Sequence, residues 1–132
     1  MRREIQRRRS VWVCKFQAMS EQEHRSVPDS HLVAIATTDS EEAAEALADG
    51  LVKDRLAACV QISSPIKSVY RWEGEVQRDA EWQLWIKTTN DPLDELTQWL
   101  GDHHTYDVPE LVALPVVGGS PAYLTWVTDE TR

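Results

Sequence analysis

The stretch Glu81-Trp-Gln-Leu-Trp-Ile-Lys-Thr-Thr89 constrains the fold more than any other part of the chain. It reads as a long strand. Side chains alternate across a strand, so Trp82, Leu84 and Ile86 project to one face and Trp85 to the other. The run Leu32-Val-Ala-Ile-Ala-Thr-Thr38 repeats the problem, with Val33 and Ile35 opposed to Leu32 and Ala34. An antiparallel sheet normally keeps one face polar and wet, yet here both faces need apolar cover. Helices of the same chain shield only one of them. The other has to be buried by a further copy or by a partner, which predicts an obligate homo-oligomer.

The remaining elements follow from periodicity and punctuation. Leu32 to Thr38 is a buried strand, and Asp39 with Glu42 reads as an N-cap and its third-position partner. Ala44, Leu47, Leu51, Val52 and Leu56 then fall on one face of a helix over 40–56. Ala58 to Ser63 is a second strand, broken by Pro65. Ile66 to Glu73 is a third element that turns back at Glu73-Gly74-Glu75 into the long strand. Asp91-Pro92 predicts an N-cap followed by proline at the first helical position, with Leu93, Leu96, Trp99 and Leu100 as the apolar stripe. Glu110 to Val117 is the last strand, and Ser120-Pro121 opens a short terminal helix. The order β-α-β-β-α-β plus one helix predicts an α+β fold, a ferredoxin-like βαββαβ sandwich with an added C-terminal helix.

With 132 residues, 42% of them apolar, the chain has the material for one compact domain, placed at 31–132. Its longest apolar runs, such as Leu111 to Val117, fall far short of the roughly 20 residues of a membrane helix, so no membrane partner is expected. Residues 1–30 show no sustained period and carry seven Lys/Arg against four Asp/Glu. They read as a flexible basic tail. Arg7 to Arg9 also fit a twin-arginine export signal, and Met19 is an alternative start. Residues 31–132 carry seven Lys/Arg against eighteen Asp/Glu. A surface of that sign repels phosphate backbones and argues against nucleic acid as a partner. Two cysteines, Cys14 and Cys59, are too few for a disulfide scaffold and suit a reducing, cytoplasmic location.

Several separated strings occur in a fixed order: Leu56-Ala-Ala-Cys-Val60, Tyr70-Arg-Trp-Glu-Gly74, Glu81 with Lys87-Thr88-Thr89, His104-Thr-Tyr106, Pro109-Glu110 and Tyr123-Leu-Thr-Trp126. Together, from about Leu32 to Trp126, they resemble the CutA family of divalent-cation tolerance proteins. The resemblance implies a compact homotrimer of ferredoxin-like subunits, similar in architecture to the PII signalling proteins. It also implies tolerance to copper and other divalent cations, copper binding, and no enzymatic activity. Two departures stand out. The family usually has His-Pro-Tyr where this chain has His104-Thr105-Tyr106, and the basic tail is outside the pattern. Threonine in place of proline removes a fixed φ and leaves that loop freer.

The residues that carry chemistry fall into two groups. His103 and His104 are the most ligand-like pair, because neutral imidazole suits copper, zinc and nickel, and Cys59 offers a soft sulfur for Cu(I). Against this, adjacent histidines usually diverge, a histidine at a helix C-terminus interacts with exposed carbonyls, and a strand cysteine is commonly a small buried hydrophobe. The second group, positions shared with the family pattern, is Tyr70, Trp72, Glu81, Lys87 and Tyr106, expected to line a polar cleft between subunits. Glu81 and Lys87 share a strand face but lie about 20 Å apart along it, so neither pairs with the other within the strand. Ion pairs at the interface are the alternative role for them.

Gly118-Gly119-Ser120-Pro121 has the spacing of neither a phosphate loop nor a nucleophile elbow and is a turn into a helix. No catalytic residues are assigned. The expected function is a cytoplasmic trimer that binds divalent cations, copper above all, in the response to metal ions. The alternative is a PII-like signalling or scaffolding trimer that binds a small molecule or partner protein in an intersubunit cleft. An RNA binder is disfavoured by the acidic domain, and a hydrolase by the lack of a nucleophile and base set.

Overall fold

The computed structural model describes residues 31–132. The expected flexible tail, with Cys14, the arginine run and Met19, lies outside the described residues. Those described form five strands and three helices: β1 (His31–Thr38), α1 (Glu41–Lys53), β2 (Cys59–Ile62), β3 (Ile66–Trp72), β4 (Glu75–Thr89), α2 (Leu93–His103), β5 (Leu111–Pro115) and α3 (Pro121–Glu130). This is the ferredoxin-like order with one added helix.

All pairings are antiparallel, and β4 is common to most of them. Its C-terminal half lies between β1 (Ile35 opposite Trp85) and β2 (Val60 opposite Ile86), while its N-terminal half pairs with β3 (Tyr70 opposite Gln77). On its other side β1 pairs with β5, Ile35 facing Val112. The β3–β4 hairpin closes through Glu73 and Gly74, both at positive φ (50° and 81°), the two-residue turn whose twist matches that of the strands.

The helices cover the face carrying Ala34, Ala36, Leu84 and Ile86, each fully buried against Leu47 and Leu51 of α1 and Leu96 and Leu100 of α2. Burial of a side chain such as Leu84 contributes about 1.5–3 kcal/mol. The expected caps shift by one residue. Ser40, not Asp39, caps α1, its hydroxyl accepting from the Ala43 amide at 3.1 Å, because Ser40 holds the extended backbone an N-cap needs. At α2, Pro92 occupies the cap position with no side-chain bond, and the helix begins at Leu93. α1 also ends three residues before the expected limit. Arg55 adopts a left-handed conformation (φ 60°), with its amide bonded to the Val52 carbonyl at 3.1 Å and the Leu56 amide to that of Leu51 at 3.0 Å. That is a Schellman ending built without glycine, and the contact of buried Leu51 with buried Leu56 accompanies it. Val52, expected on the apolar stripe, is exposed.

The second sheet face is open within the chain. Val33 and Ile35 are half-buried there, and Trp85, Val112 and Leu114 are 37%, 46% and 45% exposed. α3 meets the sheet at the end where β1 and β2 begin and β4 finishes: His31 Nε2–H donates to the Leu124 carbonyl at 2.8 Å, the Thr89 and Thr131 hydroxyls lie 3.4 Å apart, and Tyr123 reaches Cys59. No helix of the described residues is long and apolar enough to cross a membrane.

Candidate functional site

At the end of the open face opposite α3 the apolar rows give way to polar side chains. The register places Gln83 beside Thr37 on β1, and Glu110 immediately precedes β5 at the extension of the same row. Glu81, one further alternation along β4, is 8% exposed despite being a carboxylate. A cleft of about 380 Å³ opens there, lined by Thr37, Ser68, Val69, Tyr70, Glu81, Tyr106, Val108, Pro109 and Glu110.

A chain of hydrogen bonds sets its geometry. The His104 Nε2 lies 2.7 Å from the Thr37 carbonyl, which has no proton to give, so this nitrogen carries the hydrogen. The Nδ1 accepts from the Tyr106 amide at 2.9 Å. His104 is therefore held as the neutral Nε2–H tautomer, 9% exposed, and pins the loop after α2 to β1. The Tyr106 ring packs on it, centroids 4.6 Å apart, and its hydroxyl donates to Glu81 Oε2 at 2.9 Å. Across the hairpin, the Tyr70 hydroxyl donates to Asp79 Oδ2. The Glu110 carboxyl is raised above the ordinary carboxylate range, chiefly by partial burial and next by the charge of Glu81, with a hydrogen bond from Thr37 acting in the opposite direction. The result is a polar cleft with two acidic side chains, one of which resists ionisation, and phenol hydroxyls at its wall.

The structure thus brings together Tyr70, Glu81 and Tyr106 of the expected cleft and leaves out two others. Trp72 sits at the turn end of the hairpin, opposite Glu75. Lys87 lies toward the other end of β4, its ammonium donating to Gln61 Oε1 at 2.8 Å. The spacing along an extended strand, which already separates Lys87 from Glu81, is the reason. Thr37 and Glu110 were missed as cleft residues, although the alternation along β1 and the Pro109-Glu110 string both pointed to that face.

The expected metal trio of His103, His104 and Cys59 does not assemble within the chain. Both ring nitrogens of His104 are spent on backbone groups. His103, exposed at the last turn of α2, bonds through Nδ1 to the Trp99 carbonyl at 2.8 Å and stacks on the Trp99 ring. Cys59 is a free thiol on β2 opposite Lys87, on the sheet face that α2 does not cover. Beside it, the Tyr123 hydroxyl is pushed above the ordinary phenol value by burial first and by Cys59 next. Among the described residues no group of three or more His, Cys, Asp or Glu side chains is placed to hold a metal ion.

Comparison with known proteins gives a consistent result. Residues 32–130 match the family model described as CutA1 divalent ion tolerance protein. The chain is 46% identical over 112 residues to Protein CutA, chloroplastic, of Arabidopsis thaliana, a match covering 85% of this chain and 60% of that protein. It is 44% identical over 99 residues to the Divalent-cation tolerance protein CutA of Thermus thermophilus, covering 75% of this chain and 96% of the relative. The chain thus spans less than two thirds of the plant protein and nearly all of the bacterial one. The crystal structure of CutA1 from Oryza sativa superposes with a TM-score of 0.76 at 47% identity, covering 78% of this chain and 94% of that one.

Proposed function

The chain belongs to the CutA1 divalent ion tolerance family, and on that premise we propose that it is a divalent-cation-binding protein of the metal-ion response that works as a homotrimer. It acts by binding, not by turnover. The observation that carries this reading is the position of the polar cleft: Glu81, Tyr106 and Glu110 stand at the edge of a sheet face whose Trp85, Val112 and Leu114 are uncovered in the single chain. A second copy seated on that face buries the apolar rows and closes the cleft between subunits. Oxygen donors from one chain are then joined by groups of the next, and copper is the cation proposed. The scarcity of cysteine supports a cytoplasmic location.

The test combines light scattering with equilibrium dialysis of the tag-free chain against Cu2+, Zn2+ and Ni2+. A mass of three chains that takes up cation supports the reading. A stable single-chain species at low micromolar concentration, or a trimer that takes up none, overturns it. One observation favours a second reading, a PII-like trimer that senses a small molecule or partner protein: the phenols and carboxylates of the cleft are already arranged by hydrogen bonds of their own, as in a preformed organic-ligand site. A trimer without cation uptake moves that reading ahead.

A further inference from the structure

The polar cleft carries negative charge that its own lining does not neutralise. Glu81, 8% exposed, receives the Tyr106 hydroxyl on Oε2, yet a carboxylate takes about four hydrogen bonds, so acceptor capacity remains. Burial first, and then the charge of Glu81, hold the Glu110 carboxyl up, which puts the two acids within electrostatic reach of each other. Among the described residues the ion pairs join Arg55 to Glu130 and Arg132 to Glu95, and no Lys or Arg stands among the side chains lining the cleft. Lys87, on the same strand as Glu81, donates to Gln61 nearer the other end of it. A carboxylate taken out of water with no cation beside it is costly, so Glu81 calls for a positive charge from outside the chain. The remaining wall is apolar at Val69, Val108 and Pro109, and the rings of Tyr70 and Tyr106 line the same space.

We infer that this cleft takes a small organic ammonium, whose N–H groups donate to the carboxylates of Glu81 and Glu110 while its hydrocarbon stem lies against Val69, Val108 and Pro109. The inference rests on the small-molecule reading, the second of the two given above, and names its ligand class. The lining side chains offer oxygen acceptors and no imidazole or thiolate, both nitrogens of His104 being bonded to backbone groups. A cation that brings its own donors meets such acceptors directly, and N–H bonds to a carboxylate are among the strong ones. Aromatic rings attract the same charge. An anion is repelled by both acids, and a neutral ligand leaves their charge uncompensated. The volume, about 380 Å³, has room for the hydrocarbon stem as well as the charged head. Seating the cation also favours the ionised form of Glu110, so uptake releases protons near the raised pKa of that group and none at about pH 8. The titratable groups that share the cleft with it are Glu81, Tyr70 and Tyr106, with His104 behind the Tyr106 ring.

The probes are butylammonium chloride, sodium butyrate and butanol, each added to the full, tag-free chain at constant ionic strength. Isothermal titration calorimetry in two buffers of different ionisation enthalpy reads affinity and proton release, and the ring resonances of Tyr70 and Tyr106 locate the bound probe. The ammonium is expected to bind and to move both tyrosine signals, with protons released only on the acid side; butyrate and butanol do neither. Glu110→Gln, its fold checked by circular dichroism, weakens the ammonium about tenfold and abolishes the proton release. Butylammonium held equally by wild type and Glu110→Gln overturns the inference. Butyrate or butanol moving the tyrosine signals where the ammonium does not overturns the ligand class and leaves the small-molecule reading standing. Tyrosine signals unmoved by all three overturn the class and withdraw the support which that reading draws from the cleft.

Discussion

The hydroxyl of Tyr106 donates to Oε2 of Glu81 at 2.9 Å, so a carboxylate that is 8% exposed has a partner supplied by a loop 25 residues away. Removing that partner leaves a buried charged acceptor short of a bond. Tyr106→Phe is expected to destabilise the protein by about 1–3 kcal/mol. Thermal unfolding measures this, and an unchanged midpoint would mean that water replaces the phenol without loss.

Glu110 supplies a pH dependence whose sign is opposite to that of a salt-bridged acid. Its folded-state pKa lies above the ordinary 4.5, through burial and then Glu81, so between the two values the native state holds more protons than the unfolded one. Stability therefore falls as pH rises from about 4.5 through the raised value, and the penalty is fully present at neutral pH. Glu110→Gln removes it. The variant is expected to melt above the wild type at pH 7, and the gap narrows toward pH 4.5. A gap that widens on acidification contradicts the assignment.

Gly50→Ala tests the helix crossing. In an exposed helix that change gains roughly 1 kcal/mol of helical propensity. Here the new methyl meets Trp99 at 2.4 Å and must displace the indole from Asp54 and His103. Overpacking of this kind costs about 1–3 kcal/mol, so the net expectation is no gain or a modest loss in the urea midpoint. The Trp99 indole N–H resonance is expected to shift at the same time.

Trp85→Glu places a carboxylate beside Ile35 and Gln61 in the middle of the uncovered sheet face. With the assembly proposed above, the variant is expected to run as a single chain by light scattering. Its far-ultraviolet circular dichroism stays that of the wild type, because the helix-covered core is on the other face. A variant that assembles as the wild type does places the shared surface elsewhere.

Much of the fold was legible because two periods were strong. The alternation along β1 and β4 assigned both faces correctly, and the 3.6-residue stripes located α1 and α2. Boundaries failed where tertiary bonds decided them. Arg55 ends α1 through a left-handed turn for which sequence offers no glycine, and Ser40 displaces Asp39 as cap because of backbone conformation, not residue type, both being good caps. In the cleft, Glu81, Tyr70 and Tyr106 were found, whereas Thr37 and Glu110, although sequence patterns pointed to that face, are joined to the cleft by the pairing register of the folded sheet. The adjacent histidines looked alike in sequence and differ in every contact. His104 turns inward to the Thr37 carbonyl, and His103 folds back on its own helix.

The pairing of β4 with β1, β2 and β3 has a consequence for biogenesis. As the polypeptide leaves the ribosome, the described residues up to Gly74 contribute three strands, and none has a hydrogen-bonded neighbour among them until β4 is made. The β3–β4 hairpin can close once Glu81 is made, but β1 and β2 meet β4 only when synthesis passes the tryptophans at 82 and 85, and the first strand gains its second neighbour only with β5, some 75 residues after it emerged. Pairing across such separations is slow, and the nascent chain spends that interval with Leu32, Ala34 and Ile35 unsheltered. Helix α1, capped at both ends by local bonds, can form early and shield Ala34, whereas Ile35 stands on the face that the helices leave open.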